Sequence, residues 1–187
     1  QRKGDTLIVD KDEEPGRGKL DNIGKLRPAF DKDGTITAAN ASSLSDGAAA
    51  LTIISNKKAE QLCISPICRI ISQVSAAQEP LYFTTAPSKA ISKVLEKSGL
   101  TINDIDLFEI NEAFSNVTLA AMREHSIPHD KVNIHGGAVA LGHPIGASGA
   151  RILVTLISAL QKKQKKLGLA TLCIGGGEAA ALIVEII

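Results

Sequence analysis

The stretch Leu107-Phe108-Glu109-Ile110-Asn111-Glu112-Ala113-Phe114 decides the fold. Leu107 to Ile110 is a short apolar run of strand type, and Asn111 behind it is expected to cap a helix running to about His125. Upstream, Thr101 and Asp104 resemble a weak capping box. Before them, Pro87 stands at a first helical position, Ala90, Ile91, Val94 and Leu95 form an apolar stripe, and Gly99 ends the helix. Ile67 to Ala77 is rich in β-branched residues and reads as a strand, Asn56 to Leu62 as a short helix capped by Asn56, and Ala48 to Ile54 as a buried strand. Downstream, Val132 to Ile134 is a short strand, His135 to Gly149 a glycine-rich loop, and Ser148 to Lys163 a helix with Ile152, Leu153, Leu156, Ile157 and Leu160 on its apolar face. Leu169 to Ile174 and Ala179 to Ile187 read as strands of a hairpin through Gly175, Gly176 and Gly177. This alternation implies an α/β fold with a sheet covered on both faces, and the hairpin adds antiparallel pairing.

The segment up to about Ser45 differs. It is polar, rich in Gly, Lys and Asp, and only Thr6 to Val9 reads as a strand, while Asp10 to Lys19 should be an exposed loop. The first residue is Gln1 and the one methionine is Met122, as expected either of a processed product or of a partial chain whose N-terminal part is missing.

Composition narrows the class. With 44% apolar and 22% charged residues among 187, the chain is that of an ordinary soluble globular protein with a real core. Aromatics are only 3% against 16 glycines, so close backbone packing is expected to replace bulky side chains. A net charge of +1 without a basic stripe argues against nucleic acid. No apolar run is long enough for a membrane span, and no signal-peptide pattern is present. Lys162, Lys163, Lys165 and Lys166 are expected to complement a helix terminus. Cys63, Cys68 and Cys173 are an odd set, expected to be reduced thiols in a cytoplasmic setting, with a mitochondrial one as the alternative; Cys63 and Cys68 should be small buried apolar residues.

Three elements fall at the carboxyl ends of strands, where ligands sit in such folds. Asn111 either caps a helix or holds a water or carbonyl oxygen. His143 sits in the run Gly136 to Arg151, where Pro144 keeps it extended and the glycines permit close approach by a substrate. The run is neither a P-loop nor G-x-G-x-x-G, so a phosphate cradle is the weaker reading. Cys173 is either a core thiol or a reactive cysteine whose pKa a nearby imidazolium would lower, with Gly175, Gly176 and Gly177 aiming N–H groups at an oxyanion.

Together Asn-Glu-Ala-Phe at 111–114, the run at 136–151 and Cys-Ile-Gly-Gly-Gly at 173–177 resemble the thiolase family, in its order, and most of all its acetyl-CoA acetyltransferase branch. Ala38-Ala39-Asn40-Ala41-Ser42 followed by Asp46-Gly47-Ala48-Ala49-Ala50 resembles its coenzyme A-binding stretch. The resemblance implies reversible condensation of two acetyl-CoA to acetoacetyl-CoA, or thiolysis of 3-ketoacyl-CoA. In it, His143 would deprotonate a nucleophilic cysteine and, with Asn111 and a water, form an oxyanion hole. Cys173 would carry the α-carbon proton, and Gly175 would donate its N–H to the acyl-enzyme oxyanion. Ser42, Ala41 and Arg17 would contact coenzyme A, the substrate, with no tightly bound cofactor, and Ala38, Ala39, Ala41 and Val139 match positions that hold potassium in some members. The implied layout puts the end of a loop domain at 1–44, the last strand and helix of an N-terminal domain at 45–65, and a C-terminal domain with a mixed five-stranded sheet at 66–187. Partners would be acyl-CoA and either a missing N-terminal half or further copies in a dimer or tetramer.

The family's nucleophilic cysteine lies in a Cys-x-Ser-Gly-type motif, which this sequence lacks: Cys63 and Cys68 are followed by Ile64-Ser65 and Arg69-Ile70. The chain is therefore expected to supply the acid–base half of a site and to be inactive alone. A non-catalytic thiolase-like protein that binds acyl-CoA or a partner is the competing expectation.

Overall fold

The computed structural model describes residues 4, 6 and 8–187. In chain order the elements are α1 (Glu14–Arg17), α2 (Asn56–Gln61), β1 (Cys68–Ala77), α3 (Ala86–Ser98), β2 (Leu107–Ile110), α4 (Ser115–His125), α5 (Ala138–Leu141), α6 (Ser148–Lys163), β3 (Leu167–Ile174) and β4 (Glu178–Ile186). Four strands form one sheet in the order β1-β4-β3-β2. β2 and β3 are parallel, with Ile110 opposite Thr171, and the other two pairings are antiparallel.

Each face of the sheet is covered by helices whose apolar stripes match it. On one face Ile91 and Val94 of α3 and Val117 of α4 pack on Phe108, Ile110, Leu169 and Ile183, all essentially inaccessible. On the other, Ile152, Leu156 and Leu160 of α6 pack on Leu107, Ala170 and Val184. α3 ends as its sequence requires, at Gly99 in a left-handed conformation with φ 70°.

Several expectations are corrected. The sheet has four strands among the described residues, not five: Val132 makes a single parallel bridge to Phe108. A 3₁₀ turn at His129–Lys131 leads into it and Asn133 leaves it with φ 47°, so pairing cannot extend. Thr6, Ile8 and Val9 form no strand, and Leu7 lies outside the described residues. Ala48 to Ile54 is without strand pairing, and Ile53 is 76% exposed rather than buried. Its apolar character has no partner surface here to act on. The cap of α2 is Ser55, whose hydroxyl accepts from the Lys58 N–H at 3.2 Å, not Asn56. Cys63 is exposed; Cys68 is half-buried. The lysine group splits at the end of α6: Lys165 faces Asp106 at 3.9 Å and Lys166 binds Glu185 at 2.8 Å. No helix is long and apolar enough to cross a membrane among the described residues.

Candidate active site

Asn111 does not cap a helix. α4 begins at Ser115, with extended Phe114 before it, so the four residues after β2 form a turn that leaves the Asn111 side chain free for other contacts. Asn111 is almost completely buried, and its N–H is tied to the Thr171 carbonyl at 3.0 Å, carrying the parallel β2–β3 pairing one residue further. Its amide faces the His143 loop: Nδ2 lies 3.4 Å from His143 Nε2, and Oδ1 accepts from Arg151 Nη2 at 3.4 Å.

His143 is anchored at its backbone and its ring. Its N–H donates to the Ser43 carbonyl at 3.0 Å, and Leu44 bridges alongside it. Gly142 before it has φ 91°, and a Cβ there would stand 2.2 Å from the Ser45 hydroxyl, so the loop can take this course only with glycine. The ring Nδ1 lies 2.6 Å from the Ser148 hydroxyl. Burial and the nearby Arg151 charge both lower the His143 pKa from 6.5. The imidazole is thus neutral at neutral pH, ready to accept a proton.

Glu112, next to Asn111, links two segments. Its carboxylate accepts from Asn133 Nδ2 at 2.9 Å and from the Val139 N–H at 3.1 Å. It fills the space where a Gly137 side chain would be, 2.0 Å from the ideal Cβ position. This buttress ties the turn after β2 to the glycine-rich loop.

Cys173 lies two residues beyond Thr171 on β3, at the same end of the sheet as Asn111. It packs against the same buried apolar cluster as Ala113 and Phe114 do. Burial raises its pKa above 9.0, so the expected lowering by an imidazolium is overturned: the thiol is held protonated by burial. No hydrogen bond among the described residues joins it to His143. The following turn is open, and the Gly175 N–H has no described acceptor, with nothing within 4 Å of its ideal Cβ.

The segment 40–45 is a strap rather than a free loop. The Ser42 N–H and hydroxyl both donate to the Ala113 carbonyl, at 3.1 and 3.0 Å, Ala41 bridges Phe114, and the Ser115 N–H reaches the Asn40 carbonyl at 2.9 Å. Phe30 adds an edge-on ring contact with Phe114 at 5.7 Å. Ser42 and Ala41 therefore lie against the Asn111 turn. Arg17 closes α1, and its side chain lies outside the described residues. The carbonyls of Ala38, Ala39 and Ala41 accept no hydrogen bond among the described residues, the donor class a potassium ion takes. Val139 is held through its N–H by Glu112.

Asn111, Cys173 and Gly175 lie at one end of the sheet, with His143, Ser42 and Ala41 against the Asn111 turn, while nothing places Arg17, Ala38 or Ala39 there; the groups that orient Asn111 and His143 were not foreseen. Ser148 and Arg151 stood in a quoted motif without roles, and their spacing of three on a helix was the available signal. Glu109 is a further surprise: 2% exposed inside a strand, its carboxyl is pushed up to about 8 by burial, with Arg151 pulling it down and Glu112 pushing it up.

Residues 64–186 match the thiolase C-terminal domain and residues 1–57 the thiolase N-terminal domain. The chain is 49% identical over 186 residues to the acetyl-CoA acetyltransferase of Allochromatium vinosum, covering 99% of this chain and 47% of that protein. It is 51% identical over 185 residues to acetyl-CoA acetyltransferase 2 of Arabidopsis thaliana, covering 97% and 45%. The chain thus spans about half the length of the curated relatives it matches. The Bacillus anthracis acetyl-CoA acetyltransferase structure superposes with a TM-score of 0.90 at 43% identity, over 97% of this chain and 46% of that one. A thiolase from Ascaris suum in complex with coenzyme A does so at 0.86 and 43%, over 96% and 47%. With both domain signatures matched in sequence and the fold matched in space, the chain belongs to the thiolase family.

Proposed function

We propose that this chain supplies the acid–base half of a thiolase site that interconverts two acetyl-CoA with acetoacetyl-CoA and coenzyme A, or cleaves 3-ketoacyl-CoA. The observation that carries the reading is the neutral His143 whose Nε2 meets Asn111 Nδ2, at the sheet end where Cys173 and the open Gly175 N–H also lie. His143 Nε2 takes the proton of a nucleophilic thiol supplied from outside this chain. The resulting thiolate attacks the acyl carbonyl and expels the coenzyme A thiolate, leaving an acyl-enzyme whose oxyanion receives the Gly175 N–H. Cys173, a weak acid by its burial, gives its proton to the departing coenzyme A thiolate and is left as a correspondingly strong base. As thiolate it removes the α-proton of the second acetyl-CoA, while Asn111 and His143, through a water, stabilise the enolate oxygen. Ser42, Ala41 and Arg17 contact coenzyme A, and the free carbonyls of Ala38, Ala39 and Ala41 with Val139 form a potassium site. The unpaired run 48–54 is covered by the rest of a longer chain or by another copy, with the domain division near residue 65.

The test compares this chain alone with the chain joined to a thiolase N-terminal half. Thiolysis of acetoacetyl-CoA is expected only from the joined protein; turnover by the chain alone would sink the assignment of the nucleophile elsewhere. In the joined protein, Cys173→Ala should abolish condensation while an acyl-enzyme still accumulates. The pH profile should hold its acid limb below the ordinary histidine range and its alkaline limb above the ordinary thiol range.

A further inference from the structure

Four hydrogen bonds run in series across the site: Arg151 Nη2 to Asn111 Oδ1 at 3.4 Å, Asn111 Nδ2 to His143 Nε2 at 3.4 Å, His143 Nδ1 to Ser148 Oγ at 2.6 Å, and Ser148 Oγ to the Pro144 carbonyl at 3.1 Å. Both ends have a fixed polarity. A guanidinium can only donate, and a carbonyl can only accept. From the Arg151 end, Asn111 must turn its oxygen to the guanidinium and its NH₂ to the imidazole, so Nε2 must accept. From the Pro144 end, the Ser148 hydroxyl spends its one proton on the carbonyl, so it must accept from Nδ1–H. The two ends demand the same tautomer.

We propose that Arg151 and Ser148 are positioning residues that lock His143 into the tautomer with its proton on Nδ1 and its lone pair on Nε2. Both come from the first turn of α6, three residues apart, so one helix end grips the chain from its two sides. Ser148 is fully buried, which keeps water from competing for Nδ1. Arg151 Nε and Nη1 are buried, so solvent does not compete for this end of the guanidinium. In Asn111, one NH₂ hydrogen makes a long 3.4 Å contact to Nε2 that the incoming thiol proton displaces, and the other stays available for an oxyanion or its water. The inference rests on the reading of His143 as the base, because only a lone pair on Nε2, the side facing Asn111, serves that role.

Long-range ¹H–¹⁵N spectra of the ¹⁵N-histidine-labelled chain, above the histidine titration, read the tautomer without any turnover. In the parent chain His143 should show an unprotonated Nε2 and a protonated Nδ1. Ser148→Ala and Arg151→Met should each shift it toward a mixture, a change of about tenfold or more in the tautomer ratio, and Ser148→Thr should restore the original pattern. Should Arg151→Met fail to fold by circular dichroism, the Ser148→Ala and Ser148→Thr pair decides. A parent His143 protonated on Nε2, or folded variants with the parent pattern, overturns the proposal. In the protein joined to a thiolase N-terminal half, the same variants should lose kcat with little change in KM. Absence of turnover in the unsubstituted joined protein would sink the acyl-transfer reading and leave the tautomer result standing.

Discussion

Residues 66–187 and the residues before them make an instructive contrast. In the first region every strand has a partner and two apolar layers enclose the sheet. In the second, Ala59 is the one buried apolar residue among those described, and Leu20, Phe30, Leu44 and Ile53 are each at least 75% exposed. The difference does not follow from family membership, since both regions match thiolase domains. It follows from where the partners of each apolar residue reside. Residues 66–187 carry both sides of their core, whereas the run 48–54 carries only one side of a contact. The strap at 40–45 is the exception, because its partners, Ala113, Phe114 and His143, lie inside the core-bearing region.

The largest expected effect is in amide exchange. The amides of β3 and β4 should open only with global unfolding, those of 48–54 should exchange at nearly unprotected rates, and the Ser42 amide should be an island of protection between. Hydrogen–deuterium exchange with peptide resolution measures this, and protection across 48–54 in the chain alone would break the contrast. Core truncation comes next. Leu156→Ala, in the layer under α6, should cost about 2–5 kcal/mol, whereas Ile53→Ala should stay within about 0.5 kcal/mol, both by denaturant titration. If the two cost the same, the early segment has a core of its own.

A third effect is the pH dependence set by Glu109. Its carboxyl is raised from 4.5 to about 8, so the folded chain keeps a proton that the unfolded chain has lost between those values. Its contribution to stability is complete below about pH 4.5 and drains away as pH rises toward 8. Glu109→Gln should flatten this fall in a series of thermal melts from pH 5 to 8, and an unchanged slope would show that Arg151 keeps the carboxylate charged. The smallest expected effect is at the strap. Ser42→Ala removes one donor to the Ala113 carbonyl and should cost about 1 kcal/mol, seen as faster exchange at Ser42 and Ser115; no local change would mean that the backbone bonds alone hold the strap.

Much of the core-bearing region was legible from residue order. α6 runs from Ser148 to Lys163 as its stripe indicates, α3 stops at Gly99, and β1 begins within a residue of expectation, because local periodicity and capping agree with the burial that followed. Apolar runs misled where burial needs a surface from elsewhere, as at Ala48 to Ile54. Asn111 misled because capping is a local habit, and here the bond to Thr171 and the contacts with His143 and Arg151 claim the residue instead.

The sequence by itself determined the strand–helix alternation, the glycines at the crowded turns, and the presence of Asn111, His143, Cys173 and Gly175 in the family's motifs, since these are set by neighbours along the chain. Only the tertiary structure decided that Asn111 and His143 share a hydrogen bond, that Glu112 buttresses Gly137, that Ser42 straps the turn after β2, and that the Cys173 thiol is raised rather than lowered. Such outcomes depend on distances and burial between residues far apart in the chain, which no local pattern encodes.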